Sequence, residues 1–368
     1  MHRKHVILTV MVIAILAGAA VSVALRAHQA GGSSGSITMS WLNRELAAWK
    51  PSTYKSLLFG VQDLRASYGI PSYDTMQVQN ADLNMLISTN ATSVRLDIGY
   101  APWLSNDTSA ITLITKVVDA VKASGKALVI ADASSESYRH GGQLSWAAFK
   151  YQWVLRVQKL ASLFHPYAYI VVKEPGWYFP MISDSLTNPD VHNPYAWANL
   201  TGSLIRAVNN ASPGTKVGVS VAAYDLYNSS YYQGKVSFNV NYLIQVEKIA
   251  PLDFIGFDIY DTQGFNDTLK FLSEHGSGGK AIWIAEAWSG DGQYIHDSSR
   301  SALDSEWMQL LYYFAVKINA SAVFPFYTDF FSSYAWNTNS TDIVNNYSLR
   351  QPVYCEFHSL ASSYGIPA

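Results

Sequence analysis

At 368 residues the chain is long enough for one large domain or two small ones. Its 49% hydrophobic content excludes a disordered chain, and a formal net charge of −2 offers no basic surface for nucleic acid. Charged residues are sparse at 14%, so the surface is left to Ser, Asn, Thr, Tyr and attached sugar; the single cysteine, Cys355, excludes an intrachain disulfide and reads as a small core residue.

The N-terminus opens with a basic head, Met1-His2-Arg3-Lys4-His5. Residues Val6 to Leu25 follow without a charge, long enough to cross about 30 Å of hydrocarbon. Residues 1–30 therefore read as a signal anchor or a signal peptide, the weak A-x-A-like end at Ala27-His28-Gln29-Ala30 serving the second reading. The length of the apolar run favours the anchor. Residues 31–36 are a Gly/Ser tether, and 37–368 the folded domain. Basic residues ahead of the span place the body of the protein outside the cell, secreted or membrane-anchored at the surface. Nine Asn-x-Ser/Thr sites, Asn90, Asn106, Asn199, Asn210, Asn228, Asn266, Asn319, Asn339 and Asn346, point to a glycoprotein.

A helix is expected over Met39 to Pro51, capping the N-terminal end of the fold. Beyond it, short apolar runs alternate with segments of helical period. The predicted strands are Leu57–Val61, Ser93–Ile98, Ala127–Ala131, Ala168–Val172, Val217–Val221, Phe254–Ile259, Ala281–Ala285 and Ala322–Phe326. Helices are expected between them, from the weakly patterned Asp74–Ser88 to Val353–Tyr364. Eight strands alternating with eight helices predict a single (β/α)₈ TIM barrel. A doubly wound open sheet is the alternative, but no G-x-G-x-x-G follows any strand.

In such a barrel chemistry comes from the C-terminal ends of strands. Two glutamates stand there: Glu174 after strand four and Glu286 after strand seven. Strands three apart in a ring of eight face each other across the mouth. Paired carboxyls so placed suit retaining glycosidic cleavage, one as nucleophile and one as acid then base. Arg95 on strand two and Tyr260 after strand six would hold Glu286 ionised. Glu174, with fewer donors, would be raised and act as the acid. Lys173 is expected to point away from Glu174, since neighbours on a strand alternate, or to touch substrate. Trp103, Trp177, Tyr224, Trp288, Tyr327, Trp336 and Asp132 are the remaining candidates for substrate binding, the rings by stacking on sugar faces. The segment Trp177 to His192 would wall one side of the cleft. No histidine pattern of a metalloenzyme and no G-x-S-x-G occur, so neither a metal nor a cofactor is expected.

These residues resemble the clan A retaining glycoside hydrolases, which include cellulases, mannanases, galactanases and β-glycosidases. Val172-Lys173-Glu174-Pro175 is similar to the clan's Asn-Glu-Pro motif, and Ile284-Ala285-Glu286 to its strand-seven nucleophile motif. Arg95 and Tyr260 match the clan's arginine on strand two and tyrosine on strand six. The resemblance covers roughly residues 55–365 and resolves no family within the clan. It implies hydrolysis of a β-linked poly- or oligosaccharide by double displacement. Lys173 departs from the pattern, which keeps open a non-hydrolytic carbohydrate-binding barrel; a transglycosylase remodelling surface glycans is a third option.

Overall fold

The computed structural model describes residues 37–63, 84, 87–99, 108–132, 144–227, 237–289, 300–325, 332–333, 348–349 and 351–367. Eight parallel strands close into a barrel in chain order: β1 (Leu58–Asp63), β2 (Ser93–Ile98), β3 (Ala127–Asp132), β4 (Ala168–Lys173), β5 (Lys216–Ala222), β6 (Phe254–Ile259), β7 (Ala281–Ala287) and β8 (Ala322–Pro325). Closure is made by β1 against β8, with Leu58 opposite Ala322 and Phe59 opposite Val323. Helix α1 (Met39–Trp49) precedes the barrel. Among the described residues one α-helix follows each of β2 to β8: α2 (Thr108–Ala123), α3 (Trp146–Phe164), α4 (Pro194–Ala211), α5 (Phe238–Ile249), α6 (Thr262–His275), α7 (Ser301–Lys317) and α8 (Gln351–Tyr364). This is the expected (β/α)₈ barrel. The helix expected over Asp74–Ser88 falls largely outside the described residues. So does the apolar run 6–25, and among the described residues no helix is long and apolar enough to cross a membrane.

Local chemistry sets the helix starts. Thr38, Ser145, Asn193 and Asp261 each accept a backbone N–H of the first turn with a side-chain oxygen. Pro194 opens α4, where its missing N–H costs nothing. The rings of Trp41 and Trp49 in α1 pack on Phe265 of α6 and Phe314 of α7. Thus α1 lies against the outer helical layer, a correction to its expected place across the end of the barrel. Cys355 is exposed, also against expectation: Val353, Phe357, Leu360 and Ala361 take the buried face of α8.

The strands are buried on both sides, which is why they read as unbroken apolar runs. Alternate residues divide into two cores. Phe59, Val61, Val94, Leu96, Leu128, Ile130, Ile255 and Phe257 face the helices. Leu58, Val129, Ala131, Ala168, Ile170, Phe254, Trp283, Ala285, Ala322 and Phe324 fill the barrel. Trp283 stacks on Phe254 at 3.7 Å between ring centroids and lies 5.6 Å from Phe324. Gly60 and Gly218 leave room for these rings, since a Cβ on either would overlap Phe324 or Phe254. The stack plugs the interior below the mouth, so polar groups collect at the C-terminal rim.

Candidate active site

Two irregularities aim side chains into the mouth. In β4, Ile170 pairs with Gly218 and Val172 with Val219, so Val171 is an extra residue. In β7, Ile284 pairs with Phe257 and Glu286 with Asp258, so Ala285 is extra. A bulge inserts one residue and flips the facing of all that follow. Without it Glu286 would share the helix-facing side with Ile284; with it, Ala285 and Glu286 both face inward. Strand β4 then ends at Lys173, and Glu174 takes φ 49°, ψ 68°. That left-handed conformation costs a non-glycine residue about 1–3 kcal/mol and is concentrated at functional sites. Alternation therefore fails between Lys173 and Glu174: both side chains enter the mouth, a correction to the expectation that Lys173 turns away.

Inside, two cations and two anions form a closed ring of ion pairs. Arg95, fully buried, donates to Asp97 at 2.7 and 2.9 Å, to Glu286 Oε2 at 2.8 Å and to the Ala285 carbonyl. Lys173 Nζ lies 2.8 Å from Asp97 and 2.7 Å from the same Glu286 oxygen. Burial works against charge on each, but the partners outweigh it: Arg95 and Lys173 are raised and Asp97 is held below the usual carboxylate range.

Two further carboxyls stand outside that ring. Glu174, 9% exposed, meets the Tyr260 hydroxyl at 3.1 Å. Tyr260 also reaches Glu286 Oε1 at 2.7 Å, so the two glutamate oxygens lie within about 6 Å of each other. The phenol has one proton and donates to one carboxylate at a time. A proton on Glu174 satisfies both contacts, since Glu174 then donates to Tyr260 and Tyr260 to Glu286. The surroundings favour it: burial, then the Glu286 charge, push Glu174 up to about 7 despite the Lys173 ammonium beside it. Asp258, on β6, accepts from Ser220 Oγ at 2.8 Å and is driven well above its ordinary range by burial, Glu174 and Glu286.

The other candidates separate. Tyr224 and Trp288 flank Tyr260, with ring centroids at 5.9 and 5.7 Å, and both are half-buried at the rim. Asp132 does not face the mouth. It alternates with inward Ala131 and points to the helices, where Trp153 Nε1 at 2.9 Å, Arg156 and the Tyr178 hydroxyl at 3.3 Å take its carboxylate. It braces the turn after Glu174 rather than contacting substrate. That turn is a 3₁₀ helix, Pro175–Met181. Tyr178 and Phe179 within it are buried against Trp153, Trp197 and Phe238, so this part of the expected cleft wall is anchored in the core. Trp103, Tyr327, Trp336 and the side chain of Trp177 lie outside the described residues.

One rim residue escaped the sequence reading. Gln62 on β1 has the inward parity of Leu58, pairs in register with Arg95, is fully buried, and has no partner for either amide atom among the described residues. Its signal was the one polar residue continuing the alternation past Val61.

Neither a protein-family model nor a curated protein sequence matches the chain. Solved structures do. The family 1 β-glucosidase from Thermotoga maritima superposes with a TM-score of 0.58 at 10% identity, over 85% of this chain and 99% of that one. The same enzyme's complex with glucoimidazole gives 0.60 at 10% identity over 85% and 99%. The virulence factor SghA, in complex with its substrate analog salicin, gives 0.59 at 11% identity over 87% and 98%. At such identity the likeness is one of fold: this chain is built on the same (β/α)₈ barrel as these proteins.

Proposed function

We infer that the chain is a retaining β-glycoside hydrolase. The observation that carries this is the single Tyr260 hydroxyl in contact with both Glu174 and Glu286. Carboxyls about 5 to 5.5 Å apart suit attack by one of them, whereas inversion needs a wider gap for water. Glu286 attacks the anomeric carbon while Glu174 gives its proton to the leaving oxygen. Glu174, now ionised, takes a proton from water, and that water's oxygen displaces Glu286 from the sugar. Arg95, Lys173 and Tyr260 hold the Glu286 carboxylate in place by direct contacts. Gln62, with an uncommitted amide, is placed to bind a sugar hydroxyl, and Tyr224 and Trp288 to line the entry.

The substrate is a neutral β-linked sugar. Lys173 introduces a cation, but Asp97 and Glu286 already balance it together with Arg95. Among the described residues the mouth thus carries no excess positive charge for an anionic sugar. The same contacts support a second reading. Two cations on one oxygen of Glu286 weaken it as a nucleophile, as a non-hydrolytic binding barrel would tolerate. Trapping with a 2-deoxy-2-fluoro glycosyl donor decides between them. The expected result is a covalent sugar on the peptide bearing Glu286, by mass spectrometry; binding without an adduct would leave only the rival. A transglycosylase gives the same adduct and is separated by its products.

The pH dependence follows from Glu174. Its protonated form is the acid, so kcat/KM is expected to fall as pH rises through about 7. A profile flat from about pH 6 to about pH 9 would remove Glu174 from the acid role.

A cell-surface or secreted location accords with the basic head and the apolar run 6–25. The five sequon asparagines among the described residues, Asn90, Asn199, Asn210, Asn266 and Asn319, are all exposed, as N-glycosylation requires.

A further inference from the structure

Counting charges in the mouth leaves one carboxyl without a role. Among the described residues four are present, Asp97, Glu174, Asp258 and Glu286, against two cations. Arg95 and Lys173 each contact Asp97 and Glu286, and neither makes an ion pair with Glu174 or Asp258 among the described residues. Glu174 reaches the rim and works as the acid. Asp258 sits deeper, with no exposure at all. Its Oδ2 has only the Ser220 hydroxyl, and Oδ1 has no partner among the described residues. An ionised carboxylate buried with one neutral donor and no cation is a costly arrangement, while the neutral acid is not.

We propose that Asp258 stands in the barrel as a neutral carboxylic acid, a positioning residue that fills the strand-six position beside Glu286 without adding charge. Arg95 and Lys173 are then balanced by Asp97 and Glu286 alone, and the nucleophile keeps both cations. The groups that face Asp258 agree. Ser220 on β5 supplies a hydroxyl; Glu286 on β7, its register partner, and Glu174 after β4 disfavour its charge; Tyr260 after β6 is a neutral phenol; only the committed Arg95 and Lys173 favour it. The idea rests on the catalytic reading above only for the name given to Glu286; the proton on Asp258 is measured without turnover.

Infrared difference spectroscopy with isotope-labelled aspartate reads that proton in the wild-type enzyme. At about pH 9, where Glu174 has ionised, an aspartic-acid carbonyl stretch is expected to persist, and Asp258→Asn is expected to abolish it. Its absence from the wild type would overturn the proposal whether or not the variant folds. Stability gives a second measure. A carboxyl raised in the folded state contributes stability that is present below about pH 3.9 and lost as pH rises toward the folded value. Asp258→Asn removes that loss, so the fall in Tm from about pH 5 to about pH 8 should be shallower than in the wild type. An equal or steeper fall would count against it. The alkaline limb assigned to Glu174 separates charge from shape. Asparagine mimics the neutral acid, so the limb should stay in place. A move toward lower pH by about one unit or more would mean that a negative charge had been removed and that Asp258 was ionised. A wild type without glycosidase activity would defeat the catalytic reading and leave the infrared and Tm results standing.

Discussion

Replacing Glu286 with glutamine is expected to lower kcat on aryl β-glycosides by about 10⁴-fold or more, with little residual turnover. The amide has no lone pair able to form the glycosyl ester. The surroundings make it a poor isostere as well. One end of the Glu286 carboxylate faces Arg95 at 2.8 Å and Lys173 at 2.7 Å, and the other the Tyr260 hydroxyl at 2.7 Å. Both ends face donors, so the amide NH₂ must meet either two cations or the phenol. Tyr260 can rotate to accept, which leaves the carbonyl on the cations and one positive charge uncompensated in a buried site. A lower Tm should accompany the loss of rate. Activity within about ten-fold of the wild type would show that Glu286 is not the nucleophile.

Arg95→Met is expected to cost about 3–5 kcal/mol of stability, measured by chemical denaturation, as when one partner of a buried pair is removed. Four hydrogen bonds disappear, two to Asp97, one to Glu286 and one to the Ala285 carbonyl at the bulge. Asp97 and Glu286 would then share Lys173 alone. Arg95→Lys should recover only part of the loss, because an ammonium cannot reproduce a planar fork that reaches three groups at once. Were Arg95→Met to cost less than about 1 kcal/mol, the ring of ion pairs would not be the buried keystone described above.

How far these features were legible in the chain depended on their range. The period-two and period-3.6 patterns are local, so the strands from Ser93 to Phe324 appeared within a residue or two of their ends. Placing Glu174 and Glu286 on strands four and seven then required only counting. Asp132 misled because a polar residue at a strand end looks the same whichever way it points; the Ala131 neighbour inside the barrel decides its direction. Lys173 misled because regular alternation was assumed through Val171 and Glu174, where a bulge and a left-handed backbone break it. No glycine or proline marks the bulge, and Pro175 beside Glu174 marks where the strand ends but not which way either side chain points. Gln62 was missed for a simpler reason: the strand was ended at Val61, two residues before its end at Asp63.

Composition, period and the order of polar residues at strand ends were thus enough to reach the barrel and the two glutamates, because each depends on neighbours in sequence; the resemblance to clan A singled out Arg95 and Tyr260 as their attendants. The tertiary structure decided what depends on partners far apart in the chain. It put Lys173 on Asp97 and Glu286, left Glu174 and Asp258 without an ion pair among the described residues, and joined the two glutamates through one hydroxyl. Charge and proton position are sums over everything within a few ångströms, and no stretch of sequence contains that sum.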